Sequence, residues 1–377
     1  MKSSANGREK GVNRHDISRS LDWLSAAELD AQQVLNSHAS NKKVAMVGRW
    51  FLSEKLLHSL ILAHLGHKQA TDTRFLLQLS NFTLRRLLIG INPFSHRKAL
   101  LSADAVFLKN HVRAFYFKSG LTLKCSNPIM STAPKALTNE INVRSEIHDA
   151  RAVRVPQLLH YQIGSNGSYL VEKALMQARM FNAGRDCDRL ATGLFEFYLK
   201  NGMEQLPLGD AVRWPETLNV VERLFVTFGF DCSGLARFSN RIFCNRDPAR
   251  LGVAVGLSHG DMSCGNLLVD NDTIYVIDWE RARQAPVFSD FYKLFVQVPG
   301  LQTRMTALFD QWGKSQPMQS LDAQDQITLG KITQLTYLAE RYEQVLGKPE
   351  EGVTAPWFRK SLAEQVRVVA THLSQIA

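Results

Sequence analysis

No stretch of about eighteen uninterrupted apolar residues occurs in this 377-residue chain, so a membrane-spanning helix is not expected. The first sixteen residues, MKSSANGREKGVNRHD, lack the apolar core of a secretory signal. Cysteine is scarce. Cys125, Cys187, Cys232, Cys244 and Cys264 are scattered, odd in number and never spaced as Cys-x-x-Cys, which argues against a disulfide framework and a zinc site alike. Reduced thiols in a cytoplasmic protein are the expectation. Acidic residues are also in short supply: 35 Asp and Glu face 45 Lys and Arg. Hydrophobic residues at 45% and charged residues at 21% are otherwise an ordinary globular balance.

The basic excess is uneven. Residues 1–100 hold 15 Lys and Arg against 7 Asp and Glu. Such a segment suits an acidic membrane surface or another anionic partner, through Lys42, Lys43, Arg49, Lys55, Arg85 and Arg86, and equally suits a solvated face with no partner. Nucleic acid is not expected. Residues 1–16 read as a polar tail. Ser20 is placed to cap a first helix carrying Leu21, Leu24, Leu29 and Val34. Helical spacing predicts a second helix over about 42–65, on Val47, Trp50, Phe51, Leu57, Ile61 and Leu65, and a third over about 71–90. A helical pad packed on the rest of the chain is the preferred reading. His58, His64 and His67 read as surface or core residues, since His64-x-x-His67 has no third ligand in the sequence.

After about residue 100 the pattern shifts to short β-rich runs at 105–108, 112–117 and 121–125, separated by turn-like Lys109-Asn110-His111 and Lys118-Ser119-Gly120. A helix is expected at about 135–149, then a hairpin with Asn166-Gly167 at its turn. Beyond it, helices are expected at 185–200, from Trp214 to Gly229, and near 301–312, 321–346 and 355–376.

The densest chemistry lies in Ser258 to Glu280, SHGDMSCGNLLVDNDTIYVIDWE. Here His259-Gly260-Asp261 precedes Asn266 by five residues, and the apolar run Ile274–Ile277 leads to Asp278. Singly, these would be ordinary turn residues. Together, a carboxylate to orient a hydroxyl and two hard oxygen donors suit phosphoryl transfer from magnesium-bound ATP. The pattern resembles the catalytic loop and metal-binding strand of the aminoglycoside phosphotransferase and choline kinase family, in which His-Gly-Asp and Asp-Trp-Glu stand where protein kinases carry His-Arg-Asp and Asp-Phe-Gly.

The resemblance covers about 101–300 and is sharpest over 258–290. It implies a protein-kinase-like α+β fold of two lobes, with a basic helical extension at 1–100, a small nucleotide-binding lobe at 101–175 and a large catalytic lobe at 176–377. It implies Asp261 as the hydroxyl-orienting base and Asn266 and Asp278 as magnesium ligands. His259 would brace the loop, and Asp290 would steady it. Lys124, with Lys118 as the alternative, would bind the α- and β-phosphates, and Glu140, or else Glu146, would hold that lysine. Backbone groups from Glu172 to Ala174 would meet the adenine edge. Glu280 is left between a site role and a salt bridge.

One departure stands out: no glycine-rich phosphate-covering loop precedes the second strand. The expected activity is ATP- and Mg2+-dependent transfer of the γ-phosphoryl group to a hydroxyl on a small molecule, such as a sugar, an amino alcohol or a glycan-linked acceptor. The alternative is a weak or inactive nucleotide-binding scaffold or regulator. A third reading is a membrane-surface or nucleic-acid binder driven by residues 1–100. The excess of positive charge disfavours a polycationic acceptor, and the sequence does not choose between ATP and GTP.

Overall fold

The computed structural model describes helical positions between residues 23 and 35, the strands at 43–47, 50–53, 96–98 and 105–108, and most of the chain from 111 to 375, with gaps at 117–118, 127–132, 165–166, 176, 245–246 and 347–354. An antiparallel sheet forms the first layer. Its strands are β1 (Lys43–Val47), β2 (Trp50–Ser53), β3 (His96–Lys98), β4 (Ala105–Leu108), β5 (His111–Tyr116), β6 (Leu121–Ser126), β8 (Leu158–Gly164) and β9 (Gly167–Lys173), in the order β3-β1-β2-β4-β5-β6-β9-β8. Helix α1 (Ala133–Glu146) lies on this sheet, with Leu137 and Ile141 fully buried against Leu170.

Strands β1 to β3 correct the expectation of a helix beginning at 42. Val44-Ala45-Met46-Val47 and Trp50-Phe51-Leu52 are rich in strand-forming residues, and Val47 pairs with Trp50 across a two-residue hairpin spacing. An apolar run this short satisfies helical and strand periods alike, and pairing with β4 decides it. The sheet therefore begins well before residue 101. Residues 54–95, with the expected third helix and Lys55, Arg85 and Arg86 of the basic cluster, lie outside the described residues. In the first helical segment, Leu24, Ala27, Ala31 and Leu35 are buried against β5, β6 and β9, while Leu29 is exposed. The buried face thus runs through the alanines, a helix packed close on the sheet.

The second layer is mainly helical: α2 (Ala183–Lys200), α3 (Leu208–Ala211), α4 (Trp214–Phe228), α5 (Ser233–Ser239), α6 (Phe291–Gln297), α7 (Leu301–Gly313), α8 (Ala323–Leu346) and α9 (Ala355–Gln375). Two small sheets are set into it. One has the order β10-β13-β14-β7, from β7 (Val153–Arg154), β10 (Arg179–Met180), β13 (Leu267–Asp270) and β14 (Thr273–Val276). The other joins β11 (Glu204–Pro207), β12 (Leu251–Ser258) and β15 (Arg283–Pro286), with β16 (Gln319–Ser320) parallel to β12. The result is a two-lobed α+β arrangement: an antiparallel sheet with a packed helix, and a larger helical body. Among the described residues no helix is long and apolar enough to cross a membrane.

Helix boundaries follow local chemistry. Asn182 caps α2 by accepting from the Arg185 backbone, and α4 ends at Gly229, whose φ of 76° suits glycine. The core of the large lobe packs Phe197, Trp279, Phe288, Phe291 and Phe309 beneath β13 and β14. Helix α8 crosses directly over 287–290: a Cβ at Gly330 would lie 2.5 Å from the Phe288 carbonyl carbon and 2.7 Å from the Ser289 nitrogen. Gly330→Ala should therefore destabilise by about 1–3 kcal/mol through overpacking. Urea unfolding of variant and wild type checks this; equal midpoints would contradict the close approach.

Candidate active site

The loop carrying His259-Gly260-Asp261 is built on one buried carboxylate. Strand β12 ends in Ser258, and Asp290 gathers that serine with the two residues after it. Its Oδ1 accepts from Ser258 Oγ (2.9 Å) and the Gly260 N–H (2.8 Å), and its Oδ2 accepts from the His259 N–H (2.6 Å) and Tyr198 Oη (2.7 Å). Asp290 thus steadies the loop, as expected. Gly260 has φ 77°, and the Arg281 carbonyl occupies the space a Cβ would need. No other residue fits there without displacement. His259 is fully buried; its Nδ1 accepts from the Asp261 N–H (3.2 Å) and its Nε2–H donates to the Ile277 carbonyl (2.8 Å). It ties the two halves of the motif together and has no nitrogen left for proton transfer.

A second tie comes from Asn266. Its side-chain amide donates to the Asp261 carbonyl (2.9 Å), and its own carbonyl accepts from the Ile277 N–H (3.1 Å). The amide oxygen of Asn266 remains an acceptor. Trp279, buried to 1%, packs edge-on against His259 and donates to the Val276 carbonyl (3.0 Å). That anchor fixes Asp278 in the left-handed region (φ 67°, ψ 56°), a conformation costly for a non-glycine residue and characteristic of functional positions.

Asp278 meets the small lobe. Lys124 on β6 reaches Glu140 Oε2 on α1 (2.5 Å) and Asp278 Oδ1 (3.2 Å), and Arg113 on β5 donates to the same carboxylate. Lys124 and Glu140 are 1% and 2% exposed, so this is a desolvated pair rather than a surface one. Glu146 is exposed, and Lys118 lies outside the described residues. Burial disfavours the charge on Asp278, but Arg113 and Lys124 outweigh it and hold the carboxyl well below the usual carboxylate range. Burial likewise opposes the charges on Lys124 and Glu140; each is overcome by its partners, so lysine is shifted up and glutamate down.

The structure modifies the expected hinge. Glu172 places its side chain on Arg144 (2.7 Å), which also binds Glu140 (3.2 Å). The Ala174 N–H is taken by the Gly120 carbonyl (2.8 Å), so any adenine donor must come from another backbone group.

Two site residues were missed. His111 and Arg113 stand two apart on β5 and therefore share a face. Their partners, Glu280 and Asp278, are 169 and 165 residues away. Only the period-2 alternation of a strand beside the site would have flagged them. Burial lowers the His111 pKa, opposed by its bond to Glu280 Oε2 (2.6 Å). Asn139 on α1 donates to the Glu280 and Ala282 carbonyls (3.2 and 3.0 Å). Glu280 is thus a clasp between the lobes.

Asp278 and Asn266 offer hard oxygen donors of the kind magnesium takes. Among the described residues no cluster of three His, Cys, Asp or Glu could hold a metal alone.

Residues 231–323 match the model of the phosphotransferase enzyme family, a span that contains Asp261, Asn266, Asp278 and Asp290. The match covers that segment of the chain alone. No curated protein matches the chain. Among solved structures, the chain is similar to the GDP complex of wild-type aminoglycoside 2′-phosphotransferase-IIIa, at 14% identity and TM-score 0.47, over 70% of this chain and 89% of that one. It is also similar to a choline/ethanolamine kinase family protein from Mesorhizobium loti, at 10% identity and TM-score 0.44, over 79% and 97% of the two chains. A choline kinase from Streptococcus pneumoniae is similar at 11% identity and TM-score 0.42, over 69% and 91%.

Burial raises and the His111 bond lowers the Glu280 pKa, with a net fall from 4.5 to about 2. A depressed carboxylate contributes stability that is full above its ordinary pKa and lost as pH falls through the folded one. Glu280→Gln should therefore cost about 1–3 kcal/mol at neutral pH, with the gap to wild type closing as pH falls from about 4.5 toward 2. Denaturant midpoints across that range check it; a gap that stays constant would contradict it.

Proposed function

We propose that this chain transfers the γ-phosphoryl group of ATP, with magnesium, to a hydroxyl of a small molecule. The observation that carries the reading is the joining of two charged sets at one place. Lys124, fixed by Glu140, reaches Asp278, and Asp278 is tied through Ile277 and Asn266 to Asp261. The small lobe, from the first described strands to about residue 175, would hold the nucleotide, and the large lobe the acceptor.

Asn266 and Asp278 would hold magnesium, which when bound neutralises charge and aligns the β- and γ-phosphates. Lys124 would bind the α- and β-phosphates. Arg113, two residues past the start of β5, supplies a second cation where the sequence has no glycine-rich loop. Asp261 orients the acceptor hydroxyl. A bond forms between the acceptor oxygen and the γ-phosphorus, and the bond from that phosphorus to the β–γ bridging oxygen breaks. The hydroxyl proton passes to the Asp261 carboxylate and then to solvent, leaving ADP and the phosphorylated acceptor. The scaffold alternative gains little from this geometry, because the Lys124, Asp261, Asn266 and Asp278 positions are all filled by competent groups.

Two substitutions separate binding from chemistry. Asp278→Ala should abolish magnesium-dependent nucleotide stabilisation while the fold is retained. Asp261→Asn should keep that stabilisation and lower ADP formation by about 10²–10⁴-fold. Thermal unfolding with Mg·ATP, paired with a coupled ADP assay, reads both. Full stabilisation in Asp278→Ala would sink the metal assignment.

A further inference from the structure

The acceptor side of Asp261 is crowded with cations. Arg281 Nη1 donates to Asp261 Oδ2 (2.7 Å) and Lys293 Nζ to Oδ1 (2.5 Å), so both oxygens of the hydroxyl-orienting group are already engaged. Arg283 lies next on β15. It stacks 3.7 Å over the Tyr337 ring and donates Nη2 to Gln334 (3.0 Å), whose own amide donates to the Gly260 carbonyl (3.1 Å). Arg283 Nη1 is buried beside Gly260 without a partner, and Tyr292 Oη is buried without one too. Arg341 lies one helical turn beyond Tyr337 on α8. Burial and then the charge of Arg281 push its pKa down, which places these two cations within each other's field.

The acidic groups nearby are few and mostly committed. Glu280 is bonded to His111 and lies 3.8 Å from Arg281 Nε, and Asp290 is saturated by Tyr198 and residues 258–260. Glu340 faces Arg283. A concentration of half-buried like charges is unfavourable unless an opposite charge joins it.

Resting on the phosphotransferase reading, we infer that the acceptor is itself an anion: a hydroxylated small molecule bearing a carboxylate or phosphate group, bound by Arg281 and Lys293 with Arg283 behind them. Each Asp261 oxygen accepts from one cation and keeps a lone pair for an acceptor hydroxyl, so Lys293 and Arg281 stand beside the position the acceptor would take. A cationic acceptor would meet like charge there. The transfer balances: the oxygen–phosphorus bond is made, the bridging bond is broken and the proton goes to Asp261. The acceptor's anionic group takes no covalent part.

The test uses the full chain saturated with Mg·ADP and a matched panel: glucuronate, glucose 6-phosphate, glucose and glucosamine. The expected result is further thermal stabilisation by glucuronate or glucose 6-phosphate and none by the other two. Which of the two anions acts tells carboxylate from phosphate. Lys293→Gln should weaken that binding by about tenfold or more, and Lys293→Arg should restore most of it. Stabilisation by Mg·ADP alone confirms that each variant is folded. Three results would overturn the inference: stabilisation by glucose or glucosamine equal to that by the anions, none by either anion, or an anion effect unchanged in Lys293→Gln. Absence of any Mg·ADP effect in wild type is a different failure, since it removes the phosphotransferase reading beneath.

Discussion

A single requirement shapes the junction of the lobes: the Asp278 carboxylate must stay ionised while half-buried among side chains of both lobes. A charge partly withdrawn from water is unfavourable alone, and here it is set inside a network. That network runs as an alternating series, Arg113, Asp278, Lys124, Glu140, Arg144 and Glu172, drawn from both lobes. Each member satisfies the next. The consequences reach outward: α1 must sit where Glu140 and Arg144 both bond, β6 must present Lys124 inward, and Trp279 must be buried so that Asp278 keeps its left-handed backbone.

The catalytic loop repeats this logic with a different donor set. Asp290 is surrounded by two backbone N–H groups and two hydroxyls, which fix 258–260 without a cation. His259 and Asn266 then connect that loop to the strand end carrying Asp278. Positions from Ser258 to Asp290 are therefore tied together by hydrogen bonds, as the proposed reaction, which depends mostly on positioning, would require. The cations around Asp261 differ in kind. They are partly exposed salt bridges on the proposed acceptor side of the site.

Much of this was legible in the chain because it is local. Asp261, Asn266 and Asp278 lie within eighteen residues of one another, and the short β-runs at 105–125 were plain in their alternation. Lys124 and Glu140 followed from order along the chain. The features that stayed hidden depend on distant partners. Nothing near Arg113 or His111 announces Asp278 and Glu280, and nothing near Asp261 announces Lys293. The apolar run after residue 43 fitted a helix as well as a strand until its pairing with neighbouring strands was known. The Ala174 N–H reads as a nucleotide donor in the sequence because its acceptor, the Gly120 carbonyl, belongs to another turn of the sheet.

The central claim is that Asp278 and its cations form a metal–nucleotide site rather than a structural ion network. Calorimetric titration of ATP into the full chain, with magnesium and with a chelator, tests it most directly. The account predicts saturable one-site binding that weakens sharply when magnesium is removed. Equal binding in both conditions, or none in either by a folded protein, would contradict it.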